Sequence, residues 1–259
     1  MKYPLILSDM VWSYSRISSF HMCPYKFFLT YIIPCEKSNM FFSDFGSLMH
    51  SKIADFLNGT ASREAAVSDY ILNFRNSVPA KAPSAKIFVN YFSQGLNYLK
   101  NLEMPREKII GVEERVEYSI GDYRFIGFVD LITQSSNGAL CITDHKSRAL
   151  SPRSRGARYT KSDAELDSYL RQLYLYAIPV QRIFGSSPAL LRFNCYRTGA
   201  VIEEPYSDSA MESSKKWALQ SIDAILNCSE WNADMEYYKC RYLCDVHNDC
   251  EFYTTQFSH

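Results

Sequence analysis

No run of 18 or more apolar residues occurs anywhere in this 259-residue sequence, so no membrane span is expected. The N-terminal MKYPLILSDMVW also lacks the pattern of a secretory leader, because its apolar run is short and is broken by Pro4 and Asp9. A cytoplasmic location is the expectation. Neither sign of charge is in excess: 28 basic and 28 acidic residues cancel, which argues against a polycationic coat for nucleic acid. There is no internal repeat and no low-complexity tract. A G-x-x-x-x-G-K-[ST] phosphate loop is missing too, so no helicase motor is expected on this chain and any coupling to one is by a partner.

What is present suits a filled core. At 47% hydrophobic residues and this length, one folded unit over residues 1–259 is expected, with three regions. Residues 1–105 read as helical. Within them, 13–33 alternate apolar and polar residues at helical spacing, with Ser13 or Ser15 as N-cap and Pro24 as a break. Another helix is predicted from Ser43 or Asp44 to Gly59, and 61–104 is mostly helical around the interruption VPAKAPS. Residues 106–206 change to a period of two: IIGVEERVEYSI, YRFIGFVDLITQ and ALCITDHK read as strands, a helix covers 163–184, and ALLRFNCYR is a fourth strand. Residues 207–259 hold a helix to about Leu226 and then a cysteine cluster.

Charge and sulfur are unevenly placed. From Lys146 to Lys161 there are six basic residues and no acid, so this segment carries +6 and the remainder −6. Of the eight cysteines, Cys240, Cys244 and Cys250 fall within eleven residues, and without a secretion signal they read as thiols or metal ligands rather than disulfides. Cys35, Cys141, Cys195 and Cys228 read as small buried apolar residues.

The stretch ALCITDHKSRAL ends a buried strand on an acid, a histidine and a lysine, and buried charges need compensation. If the SSNG turn is symmetric about Asn137, the residue opposite position 130 is 274 minus 130, or 144. Asp130 and Asp144 are then cross-strand neighbours whose repulsion a divalent cation removes, and hard oxygen ligands suit Mg²⁺ or Mn²⁺. Lys146 lies two residues on, on the same face as Asp144.

GFVD at 127–130 followed by DHK at 144–146 resembles the PD-(D/E)XK nuclease superfamily, and more narrowly its RecB-like branch, which includes the AddB nuclease domain and the CRISPR-associated iron–sulfur exonucleases. Three further stretches are similar to that branch: FGSLMH, whose His50 corresponds to a metal ligand; QLYLY, whose Gln172 and Tyr176 stand one helical turn apart against DNA and the active site; and Cys23 with the three C-terminal cysteines. In VEERVEY, Glu113 takes the place of a glutamate found in many relatives, although strand alternation puts it with Arg115 and Glu117 on a solvated face.

The resemblance implies an α/β, restriction-endonuclease-like core with a central mixed sheet flanked by helices. It implies metal-assisted hydrolysis of DNA, with His50, Asp130, Asp144 and the main-chain carbonyl of His145 holding one or two Mg²⁺ or Mn²⁺ ions and Lys146 beside the activated water. Cys23, Cys240, Cys244 and Cys250 would hold a 4Fe-4S cluster. A Cys₄ zinc site uses the same ligands, and the three residues between Cys240 and Cys244 replace the commoner two. The basic residues Arg148, Arg153, Arg155, Arg158 and Lys161 are expected to track the phosphate backbone. The partners expected are DNA, single-stranded or with free ends, and a protein such as a helicase, recombinase or integrase. The alternative from another class is a catalytically inactive nucleic-acid-binding adaptor with the same fold and a zinc staple.

Overall fold

In the computed structural model, which describes residues 4–156 and 158–257, the first hundred residues fold into helices at the apolar spacing read from the sequence. They are α1 (Pro4–Ser8), α2 (Tyr14–Met22), α3 (Pro24–Phe27) running into a π-helical turn at Phe28–Ile32, α4 (Phe41–Leu57), α5 (Arg63–Ser77) and α6 (Ala85–Lys100). Caps fix most of the starts: Ser13, Ser62 and Ser84 each accept a hydrogen bond from the backbone N–H three residues on. Helix α4 starts two residues before Ser43 and without a side-chain cap, because Phe41 is buried and its packing sets the first turn.

The period-two region forms a five-stranded mixed sheet in the order β1-β2-β3-β4-β5. β1 (Lys108–Ile120), β2 (Tyr123–Gln134) and β3 (Leu140–Lys146) are successive antiparallel neighbours. The β2–β3 register runs from Gln134↔Leu140 to Leu131↔Thr143, every pair summing to the predicted 274. β3 then pairs in parallel with β4 (Leu190–Cys195). A parallel neighbour needs a long crossover, and α7 (Lys161–Phe184) provides it. Gly185, at a left-handed φ of 73°, ends that helix. The edge strand β5 (Ala200–Pro205) buries only Ile202, so it left no apolar rhythm in the sequence and was not foreseen. The chain ends with α8 (Asp208–Leu226), α9 (Tyr237–Leu243) and α10 (Glu251–Phe257).

Two apolar cores flank the sheet. One joins Ile17, Phe27, Leu173, Ala177 and Ile222 from α2, α3, α7 and α8 to Val129, Ile142 and Phe193; the other packs α4, α5 and α6 against Leu131 and Tyr196. Each large apolar side chain taken out of water contributes about 2 kcal/mol. A third, small cluster of Leu29, Val246 and Cys250 ties the C-terminal segment to the helical region. Trp12 bridges to β2, with its N–H on the Arg124 carbonyl at 2.8 Å and its own carbonyl accepting from Ile126 at 2.9 Å, which lays the start of α2 alongside that strand. No helix among the described residues is long and apolar enough to cross a membrane.

Candidate active site and metal centre

The main-chain ladder of β2 and β3 stops at Leu131↔Thr143, one pair short of the two aspartates. There the His145 N–H donates to the Asp130 side chain instead, at 2.6 Å from Oδ2. Asp130 and Asp144 are 7% and 2% exposed. Burial pushes the Asp130 carboxyl up to about 7, Asp144 adds to the rise, and His50 opposes it. Lys146 Nζ stands 2.8 Å from Asp144 Oδ2 and donates to Gln172 Oε1 at 2.9 Å. Burial works against the ammonium charge, but Asp144 outweighs it and the pKa is raised.

Helix α7 continues this chain of contacts. Gln172 Nε2 donates to the Tyr176 hydroxyl at 3.0 Å, one helical turn on. The Tyr176 ring lies on Gly127: a Cβ at that glycine would fall 2.5 Å from Cε1. The glycine of GFVD is thus required by the close approach of α7 to β2.

Helix α4 brings His50 over the same spot. Its Nε2 donates to the His145 carbonyl at 2.9 Å, while Nδ1 is 3.4 Å from Glu113 Oε1 and 3.6 Å from Asp130 Oδ2. Both ring nitrogens face acceptors. Burial disfavours the charged ring, but Glu113, Asp130 and Asp144 outweigh it and raise His50 to about 9. His145 itself is held neutral: burial, then His50 and Lys146, pushes it down to about 3, and Asn194 Nδ2 lies 3.1 Å from its Nδ1.

Glu113 departs from its predicted place on a solvated face. Its φ of 49° is left-handed, an uncommon conformation for a residue with a side chain. Simple pleat alternation is lost there, and the carboxylate turns to His50. One donor atom each from His50, Glu113 and Asp130 lies within 4.8 Å of the others. Imidazole plus two carboxylates, with a single imidazolium to balance them, fits a divalent ion that accepts oxygen and nitrogen ligands. Asp144 is outside that trio and paired with Lys146.

His50, Asp130, Asp144, Lys146, Gln172 and Tyr176 line one open cleft with Ser13, Ser15 and Arg16 at the start of α2, Gly46 and Ser47 on α4, and Phe128 and Tyr196. None of the last seven was assigned to the site from the sequence, although Ser13 and Ser15 were read as caps and Gly46, Ser47 and Phe128 fall within FGSLMH and GFVD. Ser13, Ser15 and Arg16 reach the cleft through tertiary packing, by way of the Trp12 bridge, and belong to none of the quoted motifs.

Comparison with known proteins gives the family. A sequence description of the PD-(D/E)XK nuclease superfamily matches residues 11–251. The chain belongs to the PD-(D/E)XK nuclease superfamily. Among curated proteins no sequence matches. Among solved structures, a "putative exonuclease" from Eubacterium rectale aligns over 92% of this chain and 87% of its own, at 14% identity and a TM-score of 0.53. The protein SSO0001 aligns over 88% and 94% at 18% identity, with a TM-score of 0.32. The first likeness is one of fold.

In this PD-(D/E)XK chain Cys23, more than two hundred residues earlier in sequence, comes to the three C-terminal cysteines. Cys23, Cys240, Cys244 and Cys250 are unpaired thiols that line one cavity. Cys23 Sγ accepts from the N–H groups of Lys26 and Asp234, each at 3.4 Å. Burial raises the thiols of Cys240, Cys244 and Cys250, Cys244 to about 11. His247 Nδ1 is 2.8 Å from the Cys244 carbonyl, engaged in its own turn. Cys141 and Cys195 are buried as read, but Cys35 and Cys228 are only half-buried, and Cys35 packs beside Cys244 and Cys250.

The basic segment is less free than its sequence suggests. Arg148 pairs with Glu165 at 2.6 Å, and Arg153 with Asp167 at 2.7 Å and Glu204 at 2.9 Å, all acids from outside the segment. Arg155, Arg158 and Lys161 are exposed. Asp163 organises the loop: its carboxylate accepts from the N–H and hydroxyl of both Ser154 and Thr160, each at 2.7 Å.

Proposed function

We propose that this chain is a divalent-metal-dependent deoxyribonuclease of the exonuclease type. The observation that carries the reading is that His50 and Asp130, with the Glu113 carboxylate close to both, meet the Asp144–Lys146 pair in one cleft. His50, Asp130, Asp144 and the His145 carbonyl would hold Mg²⁺ or Mn²⁺, with Glu113 as a further carboxylate. When bound, such an ion polarises a phosphodiester and lowers the pKa of water.

The chain's own groups account for the rest. Lys146, fixed between Asp144 and Gln172, presents an ammonium that orients the attacking water and stabilises negative charge developing on phosphate. Gln172 and Tyr176 keep that ammonium in place and face the substrate from α7. Arg155, Arg158 and Lys161 offer charge to the phosphate backbone, which makes binding sensitive to salt. The description of the Eubacterium rectale protein supports an exonuclease over an endonuclease.

Cys23, Cys240, Cys244 and Cys250 are assigned to a structural 4Fe-4S cluster. A tetrahedral zinc ion with bonds of ~2.3 Å draws its four sulfurs to about 3.8 Å from one another. The four thiols that line one cavity supply the ligand set a 4Fe-4S cluster takes. Iron and acid-labile sulfide in the purified protein, against zinc, decide between them.

The activity is tested with linear DNA labelled at the 5′ or 3′ end, single- or double-stranded, incubated with Mn²⁺ or Mg²⁺. Progressive shortening by the wild type and none by Asp144→Ala is the expected result. A wild type as inert as the variant across metals, yet still binding DNA, would replace the nuclease with a binding adaptor.

A further inference from the structure

Phe128 has no place in the apolar interior. Its strand neighbours Gly127 and Val129 face inward, Gly127 under the Tyr176 ring and Val129 in the main core, so alternation turns Phe128 outward. The ring is 51% exposed, belongs to none of the three apolar clusters and, among the described residues, stacks on no other ring. Yet it lines the cleft that holds Asp130, Asp144 and Lys146. Directly opposite in the β1–β2 ladder is Arg115, also exposed and paired only with its strand neighbour Glu117.

We propose that Phe128 is the platform on which an unpaired base of the strand being cut stacks, with Arg115 beside it for that nucleotide's phosphate, so that the cleft selects single-stranded nucleic acid. The proposal rests on the nuclease reading and names its substrate class. Phe128 and Asp130 are two residue steps apart along the strand, about 7 Å. That distance places the ring beside the scissile phosphate rather than at a remote surface. A base within a duplex has both faces covered by its neighbours, whereas an unpaired base offers one to an aromatic ring whatever its identity. A rigid ring on a strand, already held outward, supplies that contact without reordering the chain. The neighbouring cation adds attraction for the backbone without sequence preference.

The test uses the full-length protein, comparing wild type, Phe128→Ala and Phe128→Trp on a single-stranded oligonucleotide and on the same sequence as a blunt duplex. Because the ring is exposed, all three should melt at the same temperature. Removing one stacking contact should raise KM for the single strand about tenfold, with kcat within about twofold and a smaller effect on the duplex; tryptophan should restore it. An equal loss on both substrates, a loss confined to kcat, or no change would overturn the platform. A second measurement is independent of hydrolysis: binding of an oligonucleotide carrying 2-aminopurine to the Asp144→Ala chain. Fluorescence quenching should vanish when Phe128→Ala is added and persist with Phe128→Trp. Unchanged quenching would contradict the stacking role even in an active nuclease, whereas an inert wild type would contradict the nuclease reading alone.

Discussion

At the scale of single residues the site is governed by charges that balance one another only in part. His50 is raised from its ordinary 6.5 to about 9 against the cost of its burial, because three carboxylates surround it. In the metal-free chain its contribution to stability is therefore full below about 6.5 and fades as pH rises through about 9. Binding of a divalent ion must displace that proton. Mn²⁺ affinity should accordingly rise with pH between 6 and 8, by about tenfold per unit for one proton released. Calorimetry in buffers of different ionisation enthalpy measures both quantities, and an affinity independent of pH would contradict the account. Gly127 gives a steric counterpart. An added methyl collides with the middle of the buried Tyr176 ring, so Gly127→Ala should destabilise by about 1–3 kcal/mol. Activity should fall with it, and pairing the change with Tyr176→Leu should recover most of the melting temperature.

Elements differed in how plainly the sequence announced them. The β2–β3 register was legible to the residue because the short SSNG turn, symmetric about Asn137, fixes it, and that pairing sets Ile132 opposite Ile142 in the core. The Ser13 cap and the break at Pro24 were legible from local chemistry. What could not be read depends on contacts distant in sequence. β5 holds one core residue, α4 starts where Phe41 packs, and Glu113 enters the site through a left-handed kink that alternation rules cannot anticipate. The folding of the basic loop by Asp163 is a similar case, with an acid just beyond the segment taking four hydrogen bonds and forming the capping box of α7. These bonds hold its carboxyl well below the usual 3.8. The stabilisation is thus present above 3.8 and lost as pH falls further. Asp163→Asn should lower the melting temperature at pH 7, and its gap to the wild type should narrow on acidification toward pH 3. A gap that stays constant would show that the carboxylate charge is not what holds the loop.

For the molecule as a whole, the C-terminal segment folds back onto the N-terminal helices. Lys26 pairs with Asp245 at 2.9 Å and donates to the Leu243 carbonyl, Tyr25 donates to Glu251, and the four thiols line one cavity between them. A cluster bound there would add its binding energy to folding. Cys250→Ala should then reduce soluble yield and lower the melting temperature by about 10 °C, several kcal/mol at roughly 2–4 °C each. An unchanged melting curve would mean that the thiols stand idle. The catalytic cleft makes the larger claim, since donors from α4, β1 and β2 must share one cation. Crystals soaked in Mn²⁺ and measured at its absorption edge test this most directly. The prediction is an anomalous peak held by His50, Asp130 and Glu113, with Asp144 and the His145 carbonyl as its further ligands. Well-ordered crystals with no peak there, or with manganese bound only elsewhere, would contradict it.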